Sequence, residues 1–187
     1  MRKLRVFNGI TIDGYFTDLE GDMSWAHDHQ DAEWAAFSAE NAGGDVAFLF
    51  GRKTYDMMKS YWPTPQARET APEVAKAMNS RKKLVFSRTL TQATWSNTEL
   101  LKGDPVAEVR KLKQESGPDL LIFGSGTIVA PLAEAGLVDE FELVLNPRAL
   151  GRGRTIFEGV KKTLCFKLMK TRPFKNGNVV LWYEPTA

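Results

Sequence analysis

Leu120-Leu121-Ile122-Phe123 runs directly into Gly124-Ser125-Gly126-Thr127 in this chain. A short apolar run that ends in small residues is typical of a buried strand leading through a tight turn into a helix. Two earlier apolar runs end in a similar way, and they are followed by Gly51-Arg52-Lys53-Thr54 and by Ser87-Arg88-Thr89. In an open α/β sheet, ligands bind beyond the carboxyl ends of the strands. The three strand ends therefore predict one binding edge, which suits a polyphosphate and most simply a dinucleotide.

Each of these motifs also has a simpler interpretation. The classical dinucleotide fingerprint requires a further glycine three residues after Gly126, where this chain has Val129, so the glycines could serve the turn alone. The Gly51 motif lacks the upstream glycine of a P-loop. Arg52 and Arg88 could each be solvated surface residues. Their occurrence at matching strand ends favours phosphate binding, because a helix start and a second basic loop would face one anion.

Composition narrows the class of protein. The chain of 187 residues predicts one domain over residues 1–187, and a net charge of +2 argues against nucleic acid as a partner. The single cysteine, Cys165, excludes an internal disulfide, and its apolar neighbours predict a buried position in a strand. We expect a cytoplasmic protein with no signal peptide, no membrane span and no metal, since His27-Asp28-His29 supplies too few ligands.

Apolar runs, prolines and glycines divide the chain into alternating strands and helices. The sequence predicts strands over 4–12, 46–50, 83–86, 98–101, 120–123 and 139–146, and helices over 31–42, 53–61, 71–79, 104–115 and 127–135. Residues 63–70 are expected to be a connection without regular structure. Asn176-Gly177 predicts a closing hairpin between strands 163–171 and 178–184. The aromatic loop 15–25 is a candidate lid.

Taken in order, these motifs resemble the dihydrofolate reductase-like family, and in particular the branch of the C-terminal reductase domain of riboflavin biosynthesis proteins. The resemblance includes Ile12-Asp13-Gly14-Tyr15, the three strand ends, Gly136-Leu137-Val138-Asp139-Glu140 and Leu150-Gly151-Arg152-Gly153. It implies an α/β fold of three layers, with a mixed, mostly parallel sheet flanked by helices and closed by a C-terminal antiparallel hairpin.

The resemblance implies NADPH as the cofactor. By that resemblance, the helix start at Gly51, Arg52 and Thr54 would hold phosphate, and Ser87 with Arg88 would hold the adenosine 2′-phosphate. The turn formed by Gly124, Ser125, Gly126 and Thr127 would support the pyrophosphate and the nicotinamide. The nicotinamide would approach the first strand near Asn8 and Gly9.

The prediction of the substrate-binding and catalytic residues rests on fewer residues than that of the cofactor site. Folate reductases carry an acidic residue in the first helix, and the resemblance places Glu33 there, with Phe37 one helical turn further on. Asp13 is the other candidate catalytic carboxylate. Trp25 and the Tyr15–Phe16 segment would cover the substrate, and Phe37 would contact it. Glu33 could equally be an exposed helical glutamate, and Asp13 could simply organise the turn with Gly14.

The sequence leaves three hypotheses about function open. The first is an NADPH-dependent reductase that delivers hydride to a C=N or C=O bond of a small heterocycle of the pterin or folate kind. The second is a reductase of a ribosylamino-pyrimidine phosphate of the riboflavin pathway type. The third is a non-catalytic nucleotide-binding protein that keeps the fold. The resemblance is also compatible with a homodimer.

Overall fold

The computed structural model describes residues 1–27 and 31–186, and they form one sheet with helices on both faces. The strands are β1 (Leu4–Thr11), β2 (Val46–Gly51), β3 (Lys83–Phe86), β4 (Thr98–Leu101), β5 (Asp119–Phe123), β6 (Glu140–Asn146), β7 (Phe166–Pro173) and β8 (Val179–Pro185). The helices are α1 (Ala32–Asn41), α2 (Arg52–Tyr61), α3 (Pro65–Thr70), α4 (Pro72–Ser80), α5 (Pro105–Gln114) and α6 (Gly126–Glu134), and a short 3-10 helix spans Ser24–His27.

The eight strands lie in the order β4-β3-β2-β5-β1-β6-β8-β7. The first six strands in this order are parallel to one another, whereas β8 is antiparallel to both β6 and β7. Because parallel strands need crossover connections, the intervening helices cover the faces of the sheet. The predicted mostly parallel sheet with a closing hairpin is confirmed.

The alternation of β2 side chains shows how the layers are built. Ala47 and Leu49 pack on one face, in a core that includes residues of α5 and α6. Val46, Phe48 and Phe50 pack on the opposite face, with residues of α2 and α4. Successive side chains of a strand point to opposite faces, so a strand buried on both sides must be apolar throughout. This is why the uninterrupted apolar runs predicted the central strands correctly.

Two sequence predictions about local structure are wrong. Residues 63–70 contain helix α3, because Pro65 occupies its first turn and the Thr64 hydroxyl caps it by accepting the N–H of Ala67 at 3.2 Å. Cys165 is exposed, and it precedes β7 rather than lying within it. The strand begins at Phe166, opposite Pro185, and the backbone carbonyl of Cys165 still accepts the N–H of Thr186 at 2.9 Å, while the Cys165 residue is exposed.

A buried carboxyl group lies beneath the C-terminal end of α1. Glu142 of β6 is only 2 % exposed, and its Oε1 accepts a hydrogen bond from Nδ2 of Asn41 at 3.0 Å. The pKa of Glu142 is raised from 4.5 to about 7, chiefly by burial and next by the nearby charge of Glu140, while Arg5 acts in the opposite direction. A buried carboxyl favours its protonated form because burial penalises the charge.

The raised pKa of Glu142 predicts a pH-dependent stability. Between pH 4.5 and about pH 7 the folded state holds a proton that the unfolded chain has lost, so stability should fall as pH rises through this window. Glu142→Gln should therefore increase the free energy of unfolding at pH 8 by about 2 kcal/mol. Urea unfolding at pH 5 and pH 8 would measure this, with little difference between the two proteins expected at pH 5. An equal effect at both pH values would contradict the titration of Glu142.

Candidate functional site

The carboxyl ends of β2 and β5 meet at one edge of the sheet, as the sequence motifs predict. A Cβ atom built on Gly51, at the end of β2, would lie 2.1 Å from Oγ of Ser125, which follows β5. A Cβ atom on Gly124 would lie 3.6 Å from Oγ1 of Thr54 and 3.5 Å from Oδ1 of Asn8. Residues from β1, α2 and the β5–α6 turn are thus brought together, and glycine is needed where they approach most closely.

Two helices begin at this edge without a side-chain cap. In α1, α3 and α5 a side chain of Asp31, Thr64 or Asp104 accepts an N–H group of the first turn. In α2 and α6 no side chain does so, which is also true of α4. Unlike α4, both α2 and α6 directly follow a buried strand at the same edge. Their first-turn N–H groups carry partial positive charge and can donate to an anion.

The turn into α6 has an unusual backbone. Gly124 and Ser125 both take positive φ values, +59° and +71°, and Ser125 is not a glycine. A left-handed conformation costs a residue with a side chain about 1 kcal/mol. The carbonyl of Ser125 then accepts the N–H groups of Ile128 and Val129, at 2.8 and 3.1 Å, which starts the helix. Such local strain is concentrated at binding sites.

Arginines extend the edge on the side of β3. The Arg52 guanidinium hydrogen-bonds to the Thr89 hydroxyl, and its Nε lies 3.4 Å from the Asp56 carboxylate one helical turn away. The Ser87 hydroxyl accepts the N–H groups of Thr89 and Leu90, so it folds the loop after β3. Arg88 at the tip of this loop is exposed and makes no ion pair or hydrogen bond with residues 1–27 or 31–186.

The end of β1 lies next to the segment that carries Trp25. Asn8 is buried and donates from Nδ2 to the Gly9 carbonyl at 3.1 Å. A Cβ atom on Gly9 would lie 3.5 Å from Nδ2 of Asn146 and 3.9 Å from Cβ of Ala26. Trp25 precedes Ala26 in the 3-10 helix, and its Nε1 is buried without a partner. The predicted nicotinamide end of β1 and the segment that carries the predicted aromatic cover are therefore neighbours in space.

Glu33 lies in the first turn of α1 and is half-buried. One of its carboxylate oxygens accepts the N–H of Lys175, in the turn of the β7–β8 hairpin, at 3.3 Å. Phe37 is 5 % exposed and packs against Trp34, Phe174 and Trp182. Its ring therefore offers little surface to a substrate, and its position supports α1 from below.

Asp13 follows β1 and is exposed, yet its carboxylate is fully engaged. It accepts hydrogen bonds from the Thr11 hydroxyl and from the N–H groups of Leu150 and Gly151. The Thr11 hydrogen bond, followed by that of Gly151, lowers the pKa of Asp13 below its usual value. A carboxyl with a lowered pKa is a poorer proton donor at neutral pH. The engaged carboxylate of Asp13 therefore fits a structural role better than that of a proton donor.

The sequence analysis missed two residues of this edge. Thr89 binds Arg52, and its signal was present in the Ser87-Arg88-Thr89 motif, where only the first two residues were chosen. Asn146 is buried beside Gly9, where its Nδ2 donates to the Val144 carbonyl at 3.0 Å. Nothing in the local sequence distinguishes Asn146 from an ordinary strand end, because its position depends on the pairing of β6 with β1.

Other classes of site find no support in the described part of the chain. Within residues 1–27 and 31–186, no three His, Cys, Asp or Glu side chains come together in a way that could hold a metal ion. Of the His27-Asp28-His29 motif, Asp28, His29 and the side chain of His27 lie outside the description. Among the described helices, none is long and apolar enough to cross a membrane.

Comparison with known proteins identifies the family. The model of the RibD C-terminal domain matches residues 2–180. The chain belongs to this family. The protein YyaP of Bacillus subtilis (strain 168) is 32% identical over 187 residues, covering 98% of this chain and 95% of YyaP.

Solved structures agree on the fold of this RibD C-terminal domain protein. A dihydrofolate reductase from Enterococcus faecalis, complexed with NADP(H), superposes with a TM-score of 0.65 at 13% identity, covering 99% of this chain and 97% of the other. A diaminohydroxyphosphoribosylaminopyrimidine deaminase/5-amino-6-(5-phosphoribosylamino)uracil reductase from Thermotoga maritima gives 0.66 at 16%, covering 99% and 57%. At such identities the similarity shows the fold alone, and the predicted dihydrofolate reductase-like fold is confirmed.

Proposed function

We propose that this protein is an NADPH-dependent reductase that transfers hydride to a C=N or C=O bond of a small heterocycle of the pterin or folate kind. The observation that carries the proposal is the convergence of the uncapped N-termini of α2 and α6 beside Arg52 and Arg88. This arrangement fits a dinucleotide, since N–H groups and arginines both bind phosphate. The family and the fold of its NADP(H)-binding neighbour support the same cofactor.

When bound, NADPH would supply the hydride, and this chain would orient the reactants and exclude water. Gly51, Arg52, Thr54 and the turn from Gly124 to Thr127 would hold the phosphates. Asn8 and Gly9 would lie at the nicotinamide end. Glu33, or a water molecule bound to it, would supply the proton, and Trp25 would cover the substrate.

The first test is a titration of the purified protein with NADPH and with NADH, followed by quenching of tryptophan fluorescence. We expect micromolar binding of NADPH and much weaker binding of NADH, because an arginine gains a charge-assisted hydrogen bond only from the cofactor that carries a 2′-phosphate. Absence of binding for both would contradict the reductase proposal. Equal binding of both would contradict the phosphate-recognising role of Arg88.

A second candidate is favoured by the family itself. The RibD C-terminal domain match and the Thermotoga maritima neighbour support a ribosylamino-pyrimidine phosphate as substrate. NADPH oxidation measured with a dihydropterin and with the phosphorylated pyrimidine separates the two candidates by which of them is turned over. Tight NADPH binding without hydride transfer to either compound, or to other heterocycles, would favour a non-catalytic nucleotide-binding protein.

We also propose that the protein forms a homodimer. Strand β7 lies at the edge of the sheet, and Leu168 and Met169 on it are about half exposed. Contact with a second copy of the chain would bury these two apolar side chains, which is favourable. Sedimentation analysis of the purified protein would test this, and a monomer at all concentrations would contradict it.

A further inference from the structure

Two segments that are distant in sequence run side by side next to the candidate site. We call residues 12–17, after β1, the first segment and residues 148–157, after β6, the second segment. The N–H of Ile12 donates to the Arg148 carbonyl at 2.8 Å, and that of Phe16 donates to the Arg154 carbonyl at 2.9 Å. The N–H of Arg154 donates in turn to the Thr17 carbonyl at 3.0 Å. The two segments are therefore linked by backbone hydrogen bonds beyond the ends of β1 and β6, and the contact between Thr17 and Arg154 is an isolated antiparallel bridge.

One charged side chain joins the two segments. Oδ2 of Asp13 accepts the N–H groups of Leu150 and Gly151, at 3.0 and 2.7 Å, and Oδ1 accepts the Thr11 hydroxyl. Gly151 takes a positive φ of +72°, a conformation that glycine adopts without strain and that aims its N–H at the carboxylate. Hydrogen bonds to an ionised acceptor are stronger than those between neutral groups. Asp13 therefore ties the first segment to the tip of the second.

The first and second segments both pack against the start of α6. A Cβ atom on Gly126 would lie 3.0 Å from the carbonyl oxygen of Thr155 in the second segment and 3.3 Å from Cε1 of Phe16 in the first. Within the pair, a Cβ atom on Gly153 would lie 2.3 Å from the Thr17 carbonyl oxygen. The backbone contact leaves no room for a side chain at Gly153, and at Gly126 a side chain would fit only if its neighbours moved slightly. Both segments thus form one wall beside the uncapped N-terminus of α6.

We propose that Asp13 is a positioning residue whose carboxylate clasps the two segments into a wall at the N-terminus of α6, and that this wall keeps the dinucleotide enclosed. The enclosure of the dinucleotide rests on the proposed function, whereas the clasp itself does not. Asp13 then acts on the bound cofactor through the position of the second segment, and it does not transfer the proton.

The clasp can be tested by amide hydrogen exchange without any ligand. In Asp13→Asn we expect exchange in residues 148–157 to become about ten- to hundredfold faster, because hydrogen bonds to a charged acceptor are lost. Exchange in β5 should stay unchanged. Gly151→Ala, which strains the donor side instead, should accelerate exchange in residues 12–17. The control is Glu20→Gln, an exposed carboxylate of the loop that follows the first segment. Unchanged exchange in both segments, or equal acceleration throughout the chain, would overturn the clasp.

The effect on the cofactor is measured by stopped-flow displacement of NADPH. We expect Asp13→Asn to release NADPH about tenfold faster and to raise its KM more than it lowers kcat, while the pH profile of kcat keeps its shape. Faster exchange with unchanged NADPH release would overturn the enclosing role, and an altered pH profile with unchanged release would make Asp13 a proton source. If the wild-type protein binds no NADPH, both the proposed function and the role of the two segments in enclosing the dinucleotide are wrong. The amide hydrogen exchange of Asp13→Asn still tests whether Asp13 holds the two segments together.

Discussion

Arg88→Ala should weaken NADPH binding by about ten- to hundredfold and leave NADH binding nearly unchanged. The reason is the position of Arg88 at the exposed tip of the loop after β3, where the described residues offer its guanidinium no carboxylate or carbonyl partner. The neighbouring Ser87 hydroxyl accepts two backbone N–H groups and fixes that loop. These hydrogen bonds fix the backbone on either side of Arg88, while its guanidinium remains available to a 2′-phosphate. Fluorescence titration with both cofactors gives the two affinities.

Arg110→Ala is the matched control for this prediction. Arg110 is exposed on α5, so its replacement removes the same charge without touching the candidate site. The control should leave both affinities unchanged at physiological ionic strength, where distant exposed charges are screened. An equal loss of NADPH and NADH affinity in Arg88→Ala would mean that Arg88 binds a phosphate common to both cofactors. Unchanged NADPH affinity would remove Arg88 from the site and leave Arg52 as the arginine to test.

The meeting of the ends of β2 and β5 at one edge could be predicted from the sequence because these segments have strong local signals. Buried parallel strands are apolar throughout, and the residues directly after them must lie at one edge of the sheet. Gly51 and Gly124 stand directly after such strands, so their meeting is a consequence of the topology even though they are far apart in the sequence. The same reasoning gives the direction of α2 and α6, whose N-termini must face that edge.

The roles of single polar residues could not be predicted in this way, because they depend on partners that only the strand register brings close. Asp13 finds Leu150 and Gly151 because β1 pairs in parallel with β6, which ends at Asn146. Glu142 lies in an ordinary strand pattern, and its burial, with α1 and β8 as neighbours, is the main cause of its raised pKa. Neither the hydrogen bonds of Asp13 nor the burial of Glu142 can be inferred from the residues next to them in the sequence. For Cys165 the local pattern was misleading, because its apolar neighbours predicted burial and yet the residue is exposed just before β7.

Gly51→Ala should weaken NADPH binding by about ten- to hundredfold, although the protein should still fold, because overpacking typically costs about 1–3 kcal/mol. Gly51 has an ordinary backbone, with φ −78° and ψ 163°, so glycine is needed there for space and not for conformation. An alanine Cβ would lie 2.1 Å from Oγ and 3.1 Å from Cβ of Ser125, and 3.2 Å from Cδ1 of Ile128. Rotation of the Ser125 hydroxyl relieves the shortest of these contacts, whereas Cβ of Ser125 and the Ile128 side chain must each give by a few tenths of an ångström. We expect that adjustment to shift the start of α6 away from α2 and so to separate the two N-termini that would share the phosphates. Titration with NADPH and thermal unfolding measure the two effects.

Ser125→Gly in the Gly51→Ala background distinguishes this explanation from a general loss of stability. Glycine at position 125 removes both Ser125 atoms that oppose the new Cβ, and it also relieves the left-handed backbone at φ +71°, which is worth about 1 kcal/mol. The double variant should therefore recover most of the NADPH affinity, and Ser125→Gly alone should be at least as stable as the wild type. Recovered stability without recovered affinity would mean that the Ser125 hydroxyl itself binds the cofactor. In that case the close approach of α2 and α6 would serve to place this hydroxyl, and the helix N-termini would contribute less to phosphate binding than their geometry indicates.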